Sequence, residues 1–530
     1  MATSHTMPAE TPAEHALRFP QLTAAQVSRL AAFGAPRHVK AREILFDQGS
    51  SGHGVFIVLS GSIEIVGVAN EVETVLSVVG PGEFTGEVTQ LSGRPSLVLC
   101  RACETSELLE VARSNLMHVM QTDALLGDVF LSAFLLRRVF LIANAVGDAV
   151  LIGSAHSHDT LRLRTFLGRN GLPYTYLDVD VDADVQAVLD QFSVLVTDIP
   201  VLICRGQLVL RNPSNTETAS CFGLNAGIDQ AGVYDVIVIG AGPAGLAAAV
   251  YGTSEGLSVL VVESTAPGGQ AGSSSRIENY LGFPMGISGQ DLADRAYVQA
   301  AKFGARISIA RTARGLDCLR SPYTVALDDG GLVQGRTIVV AAGSRYRKLD
   351  LPDVERFEGV GIYYGATQVE APMCLNDEVA IVGGGNSAGQ AAVFLAGFAR
   401  HVHLLVRGPA LAQSMSRYLI ARIEASPDIT VETSTTVESF AGDAHLERIR
   451  WRNAATGSSA THEIRHLFMM AGADPNTAWL GTCLSLDSGK SFPLCCRSSP
   501  CAPASVPISR SRAPFCKNRP PTSGQRSFQN

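Results

Sequence analysis

The sequence contains no uninterrupted apolar run of about 18 residues, the length at which a membrane-spanning helix is read, and no basic segment followed by an apolar core near its start. A membrane span and a secretory leader are therefore not expected. It also lacks an excess of positive charge. Lys and Arg number 42 against 49 Asp and Glu, for a net charge of −7 without long runs of one sign, so nucleic acid is not an expected partner. Eleven cysteines are present, but five of them fall in the last 48 residues, and free thiols in a reducing cytoplasm are the expectation. What is there is an apolar share of 46% with 17% charged residues, enough to build cores in three or four domains of about 100–200 residues each.

Two glycine-rich turns dominate the chain. In YDVIVIGAGPAGLAAAVYG, Gly240, Gly242 and Gly245 stand in GxGxxG register, with Pro243 and Ala244 between them. In EVAIVGGGNSAGQAAVFLA, Gly383 and Gly385 are followed by Asn386 and Ser387, with Ala388 in the third place. Each turn follows a β-branched run and opens an Ala-rich helix, which lets a diphosphate approach the backbone and sit on the helix N-terminus. The strand after the first turn ends at Glu263, and the strand after the second at Arg407. A carboxylate there accepts from a free ribose hydroxyl, whereas an arginine suits a 2′-phosphate. FAD is expected on the first turn and NADPH on the second. Arg407 also has a plain reading as a solvated charge after a strand.

Residues 20–145 open with the helical pattern LTAAQVSRLAAF. Short alternating runs divided by glycine turns follow, which predict a small antiparallel barrel or jelly roll. A long, mostly apolar helix closes the segment. This order resembles cyclic-nucleotide-binding domains, through Gly49, Gly61 in LSGSIEIV, and PGEFTGE with Gly86 and Glu87. The resemblance implies that Gly86 and Glu87 hold ribose and cyclic phosphate. Arg94 stands near the family's phosphate-gripping arginine, whose own slot is taken by Pro95. Two readings stay open, a cyclic-nucleotide site and a structural or dimerising barrel. No helix-turn-helix follows, so a transcription factor is not expected.

Residues 148–222 begin as strand, helix and strand, and end in FSVLVTDIPVLICRGQLVLRNP. The Asp-Ile-Pro entry resembles the cis-proline turn of thioredoxins and glutaredoxins, with Pro200 as the cis residue. Where that family opens its first helix with a redox CxxC, this sequence has Ser157, His158, Asp159 and Thr160. Thiol exchange needs a thiolate, so the module is expected to be redox-silent. His156 and His158 have no further ligands near them in sequence, and no metal site is expected.

From Val233 onward the chain resembles the low-molecular-weight thioredoxin reductases and related ferredoxin–NADP reductases. The landmarks are GGQ with Gly269 and Gln270, IENYLGFP with Asn279, TIVVAAGSRYRKLDLP with Ala342 and Gly343, and HLFMMAGADPNTAWL at 466–480. The resemblance implies a flavin wrapped by the first two, departure of the chain from the FAD domain through the third, and its return through the last. The reductases carry a redox cysteine pair ahead of the second fingerprint. Aligned on GIYYGATQVEAP, that pair is replaced by Gly365 and Gln368, so no catalytic residue is named and a dithiol relay is not expected. The nearest thiol, Cys374, reads as buried packing.

Past residue 483 the sequence changes character. The last 40 residues hold seven prolines, eight serines, four cysteines and no acid, and they read as a disordered, out-of-frame tail. The resemblance implies that a closing FAD-binding segment is replaced there, and that FAD is weakly retained.

The expected architecture is multidomain. It comprises a tail at 1–19, a β jelly-roll barrel of cyclic-nucleotide-binding type at 20–147, and an α/β thioredoxin-like fold at 148–225. Two Rossmann-like domains follow, an FAD-binding one at 233–350 with 466–482 and an NADPH-binding one at 351–465, and then an irregular C-terminal tail. The expected function is hydride transfer from NADPH to FAD and on to an acceptor such as ferredoxin, flavodoxin or a small molecule. The resemblance adds homodimerisation. The alternative is a nucleotide-sensing regulatory protein with little turnover.

Overall fold

Alternation of apolar residues in the amino-terminal third builds two antiparallel sheets. One has the order Ala35–Val39, Ser106–Val111, Val55–Ser60; the other Ile44–Phe46, Leu99–Ala102, Ile63–Ala69, Val72–Val79. Phe56, Val58, Ile63, Val79, Cys100 and Leu108 join them in one buried cluster. Gly61, at φ +80°, turns one sheet into the other, and a Cβ there would lie 2.2 Å from Ser106 Oγ. The chain's Cys-x-x-Cys spacing, Cys100 and Cys103, falls at the end of a strand, leaving the first thiol buried and the second exposed, both free.

The computed structural model describes residues 12–487, except 70–71, 144–148, 183–184, 186–188, 190–194, 196–197, 205–207, 226–227, 368, 482 and 485. The residue Gln368 and most of the tail expected at 483–530 therefore lie outside the described residues. The expected tail at 1–19 is corrected in its second half. Residues Pro12–Arg18 form a helix, and Phe19 is buried beneath the Arg137 guanidinium, 4.3 Å from its ring centre.

The apolar helix Ala124–Ala143 is buried on several sides because it lies between modules. Phe130 meets Phe84 of the barrel edge-on at 4.5 Å. The same core continues through Leu151, Leu163 and Phe166 to Tyr297 and Val298 of the reductase region. The middle module is a four-stranded sheet in the order Leu208–Arg211, Val201–Cys204, Ala149–Gly153, Thr175–Asp178, with only the last pair parallel. Its helix His158–Arg169 starts at Ser157, whose hydroxyl accepts from Thr160 N. The Ile199–Pro200 peptide is cis, as the sequence predicts.

Residues 233–475 hold two sheets, each with a glycine turn after one of its inner strands. The first is a six-stranded sheet whose parallel part runs Arg306–Ile309, Val259–Glu263, Val233–Ile239, Leu332–Val340. The second is an all-parallel sheet in the order Ile362–Tyr363, His466–Met469, Glu378–Val382, His401–Val406, Ile429–Thr433. This corrects the expected return of residues 466–469 into the FAD domain. The buried run Leu467, Phe468, Met469 inserts as an inner strand of the second sheet; the chain leads back through Ala473–Pro475, paired with Ser344–Tyr346, and Trp479 packs in the first fold's core.

The thiol expectation is corrected as well. Cys204 is bonded to Cys221, and Cys318 to Cys483. The second bond ties the start of the expected tail to the first nucleotide fold. Among the described residues no helix is long and apolar enough to cross a membrane.

Candidate functional site

The first glycine turn is built by close approach. Gly240 has φ +103°, and a Cβ on it would stand 2.3 Å from Ala341 O; one on Gly245 would stand 1.8 Å from Gly240 O. Only glycine lets the helix Pro243–Ser254 begin this near its strand. Gly242 is its N-cap and Pro243 opens its first turn, leaving the early amides free for an anion. Glu263, 7% exposed, holds the turn from below. Its Oε2 accepts from Ala241 N at 2.7 Å, and its Oε1 from Thr265 N at 2.8 Å and Ala266 N at 3.2 Å.

A cavity of about 1390 Å³ opens over this turn. Gly240, Gly242, Pro243, Ala244, Glu263, Gly269, Gln270, Ala342, Gly343 and Gly365 all line it. Gln270 Nε2 donates to Ser344 O at 2.6 Å, and Asn476 Nδ2 to Ala342 O at 3.1 Å, fixing the cavity's rim. Gly245 lies underneath the cavity and does not line it. Asn279 is corrected: it is exposed and outside the lining, because the loop carrying it folds back through the Ile277–Ile287 bridge.

Several lining residues escaped the sequence reading: Arg169, Tyr346, Thr367, Glu370 and Trp479. Burial pushes the Tyr346 hydroxyl and the Glu370 carboxyl up from their ordinary values. Glu370 accepts from Thr367 N at 2.9 Å and from the Thr367 hydroxyl. Cys374 is buried and free, its Sγ 3.5 Å from Glu370 O, and burial pushes its thiol up to about 12.

The second turn repeats the first in outline. Gly383 would bring a Cβ 2.4 Å from Met470 O, and Gly385 caps the helix Asn386–Leu395. Asn386 Oδ1 accepts from Ser416 N at 2.7 Å, Ser387 is exposed and Ala388 is buried. Arg407 is exposed just past the strand His401–Val406, with no ion pair among the described residues. None of these residues lines the large cavity.

Beside the two amino-terminal sheets, a small cavity of about 50 Å³ is lined by Gly86 and Glu87 together with Arg137. Arg94 is corrected. It does not join them but lies over the Tyr297 ring at 4.8 Å, since the turn through Pro95 brings Ser96 to the cavity instead. The buried cation is Arg137, from the long helix. It donates Nη1 to Gly86 O and Nε to Arg18 O, both at 2.7 Å, and burial pulls it down to about 9. Glu87 is buried, and its nearest cation is Arg138, at 3.7 Å.

Two family models match: the cyclic nucleotide-binding domain over residues 36–123, and the pyridine nucleotide-disulphide oxidoreductases over 234–491. The thioredoxin reductase of Ureaplasma parvum serovar 3 is 35% identical over 245 residues, spanning 46% of this chain and 77% of that protein. That of Mycolicibacterium smegmatis is 32% identical over 257 residues, spanning 48% and 80%. The solved thioredoxin reductase of Lactococcus lactis in its FR conformation matches 48% of this chain and 83% of that one, at 25% identity and a TM-score of 0.46. Thioredoxin reductase family members use FAD and NADPH. By its fingerprints and the Ureaplasma parvum and Mycolicibacterium smegmatis relatives, the chain belongs to the thioredoxin reductase-like pyridine nucleotide-disulphide oxidoreductases.

Proposed function

We propose that the chain is an FAD-dependent oxidoreductase that takes hydride from NADPH and delivers electrons to an acceptor without a dithiol relay. The observation that carries this is the single cavity in which Gly240–Gly242, Glu263, Gly269, Ala342–Gly343 and Gly365 converge. Its residues fit the group. Glycines clear the backbone for a diphosphate, free helix amides face it, and the facing pair Gly242 and Gly269 leaves a cradle that a side chain would fill. Glu263 would hold the adenosine end. When bound, the flavin supplies two-electron chemistry, accepting hydride from the reduced nicotinamide and releasing electrons to the next carrier. The second turn, Gly383 to Ala388, and Arg407 would hold NADPH.

The positions of the family's redox pair are Gly365, which lines the cavity, and Gln368, neither able to form a disulfide. Cys374 is buried with its thiol pushed up, which supports a packing role. The acceptor in this reading is ferredoxin, flavodoxin or a small molecule, and the chain works as a homodimer. The strand order of residues 149–211 supports a thioredoxin-like module lacking its CxxC; the paired antiparallel sheets at 35–111 support a jelly-roll barrel. The NADPH-binding domain in this reading runs from 351 to about 470. The test is an absorbance spectrum of the purified protein before and after anaerobic NADPH, with ferricyanide as acceptor. Bleaching of a flavin band with ferricyanide turnover is expected. A chain that acquires no flavin, or whose flavin NADPH leaves oxidised, would sink the proposal.

A second reading has one observation in its favour. The barrel is built against the reductase, with Arg94 over Tyr297 and Gln121 Nε2 donating to Lys302 O at 3.0 Å. In that reading cyclic-nucleotide occupancy is the output, and calorimetric binding of cAMP or cGMP without turnover would favour it.

A further inference from the structure

The module at 148–225 does more than adjoin the large cavity. Its helix His158–Arg169 ends there, and Thr165, Gly168 and Arg169 form part of the wall. Arg169 Nη2 donates to Gly269 O at 2.6 Å. Gly269, at φ +54°, faces the first glycine turn, where a Cβ on it would stand 3.1 Å from Gly242 Cα. Gly242 in turn caps the helix whose free amides favour an anion. The guanidinium thus stands beside the place where a diphosphate would rest.

Its environment is unbalanced. Arg169 Nε is buried with no hydrogen-bond partner, and no carboxylate pairs with the side chain among the described residues. Glu263, the nearest acidic influence, is already engaged by three backbone amides. A half-buried guanidinium keeps its charge, and a cation with a buried, unpaired donor and no counter-ion is costly to hold. A diphosphate would supply both the missing acceptor and the missing charge.

Resting on the reading of this cavity as the FAD site, we infer that Arg169 is the cationic clamp of the FAD diphosphate, so that the thiol-less module completes the flavin pocket. The reductase-family match begins at residue 234, so this residue lies outside it. The module's loss of thiols is then compatible with a retained role in holding the cofactor.

The test titrates FAD, and separately ADP as the diphosphate half, into the full-length chain and its Arg169→Gln and Arg169→Lys variants at low and raised ionic strength. Arg169→Gln keeps a donor for Gly269 O but removes the charge. It is expected to weaken FAD and ADP in parallel by at least about tenfold and to flatten the salt dependence of binding. Arg169→Lys should recover most of the affinity. Affinity of Arg169→Gln within about twofold of wild type overturns the inference, as does a loss confined to FAD that spares ADP. If Arg169→Gln shows no cooperative melt, Arg169→Lys decides. Retained affinity supports the clamp, and a tenfold loss with an unchanged melt overturns it. Failure of the wild-type chain to bind FAD would instead remove the reading of the cavity itself.

Discussion

Arg422, on the helix Arg417–Ala425 of the second nucleotide fold, grips Glu278 of the first with both terminal nitrogens, Nη2 donating to Oε1 at 3.0 Å and Nη1 to Oε2. Glu278 is also reached by Arg276 Nε at 3.2 Å. This bidentate pair bridges the two folds in an arrangement where the second glycine turn does not face the large cavity. In the proposed reading hydride passes between atoms about 3–3.5 Å apart, so a pair that fixes one fold on the other would restrain any reorientation that turnover requires.

The first prediction concerns that bridge. The pair is partly exposed, 48% at Arg422 and 19% at Glu278, so Arg422→Ala should cost no more than about 1 kcal/mol of stability. Flavin reduction by NADPH in stopped flow should become several-fold faster. An unchanged or slower rate, with an unchanged melt, would show that the pair does not restrain the folds.

Gly245→Ala should be far more damaging than its size suggests. The added carbon has only 1.8 Å to Gly240 O, and both partners are backbone. Neither can yield without moving the helix off its strand, so loss of FAD binding and a destabilisation of about 3 kcal/mol or more is expected. Thermal melting against Gly252→Ala, on the same helix with Val259 Cγ2 at 3.0 Å as its nearest neighbour, provides the measurement.

That contrast also explains what was legible in the sequence. Gly240, Gly245 and Gly383 announce themselves because backbone approach excludes every other residue, and Pro200 because its entry strand and turn are local. Arg169 and Arg137 gave no local sign. Each sits on a helix whose periodicity explains it as an ordinary surface arginine, and its role comes from an approach between segments remote in the chain. The run His466–Met469 is ambiguous in sequence for a related reason. An apolar run specifies burial on both faces, but not which of two adjacent parallel sheets will take it. The family resemblance brings Arg94 near the phosphate-gripping position, but Pro95 occupies the slot itself and Arg94 leaves toward Tyr297.

Glu263→Gln tests the carboxylate beneath the turn. Both oxygens accept from amides, so a carboxamide must set its own N–H₂ against a backbone donor, Ala241 N on one side or Thr265 N and Ala266 N on the other. A loss of about 1–3 kcal/mol is expected, together with reduced flavin per chain. Urea denaturation and the flavin-to-protein absorbance ratio measure the two effects. Wild-type values for both would mean that the turn does not depend on this carboxylate.

Asp294 supplies a pH dependence whose sign follows from its surroundings. It lies on the helix Gly289–Lys302, where barrel, middle module and reductase meet, and its Oδ1 accepts from Gln290 Nε2 at 3.0 Å. Burial pushes its carboxyl up to about 6, against the opposing pull of Arg138 and Arg94. In the unfolded chain the group titrates near 3.9. Between those values the folded protein holds a proton that the unfolded chain has released, so this group's contribution falls as pH rises from about 4 to about 6 and is level above that. Asp294→Asn keeps the acceptor for Gln290 and removes the buried charge. It should therefore gain up to about 3 kcal/mol at neutral pH and almost nothing near pH 4. Denaturation midpoints of the two proteins at both pH values are the measurement. An equal difference at the two would mean that the carboxyl is not buried enough to shift.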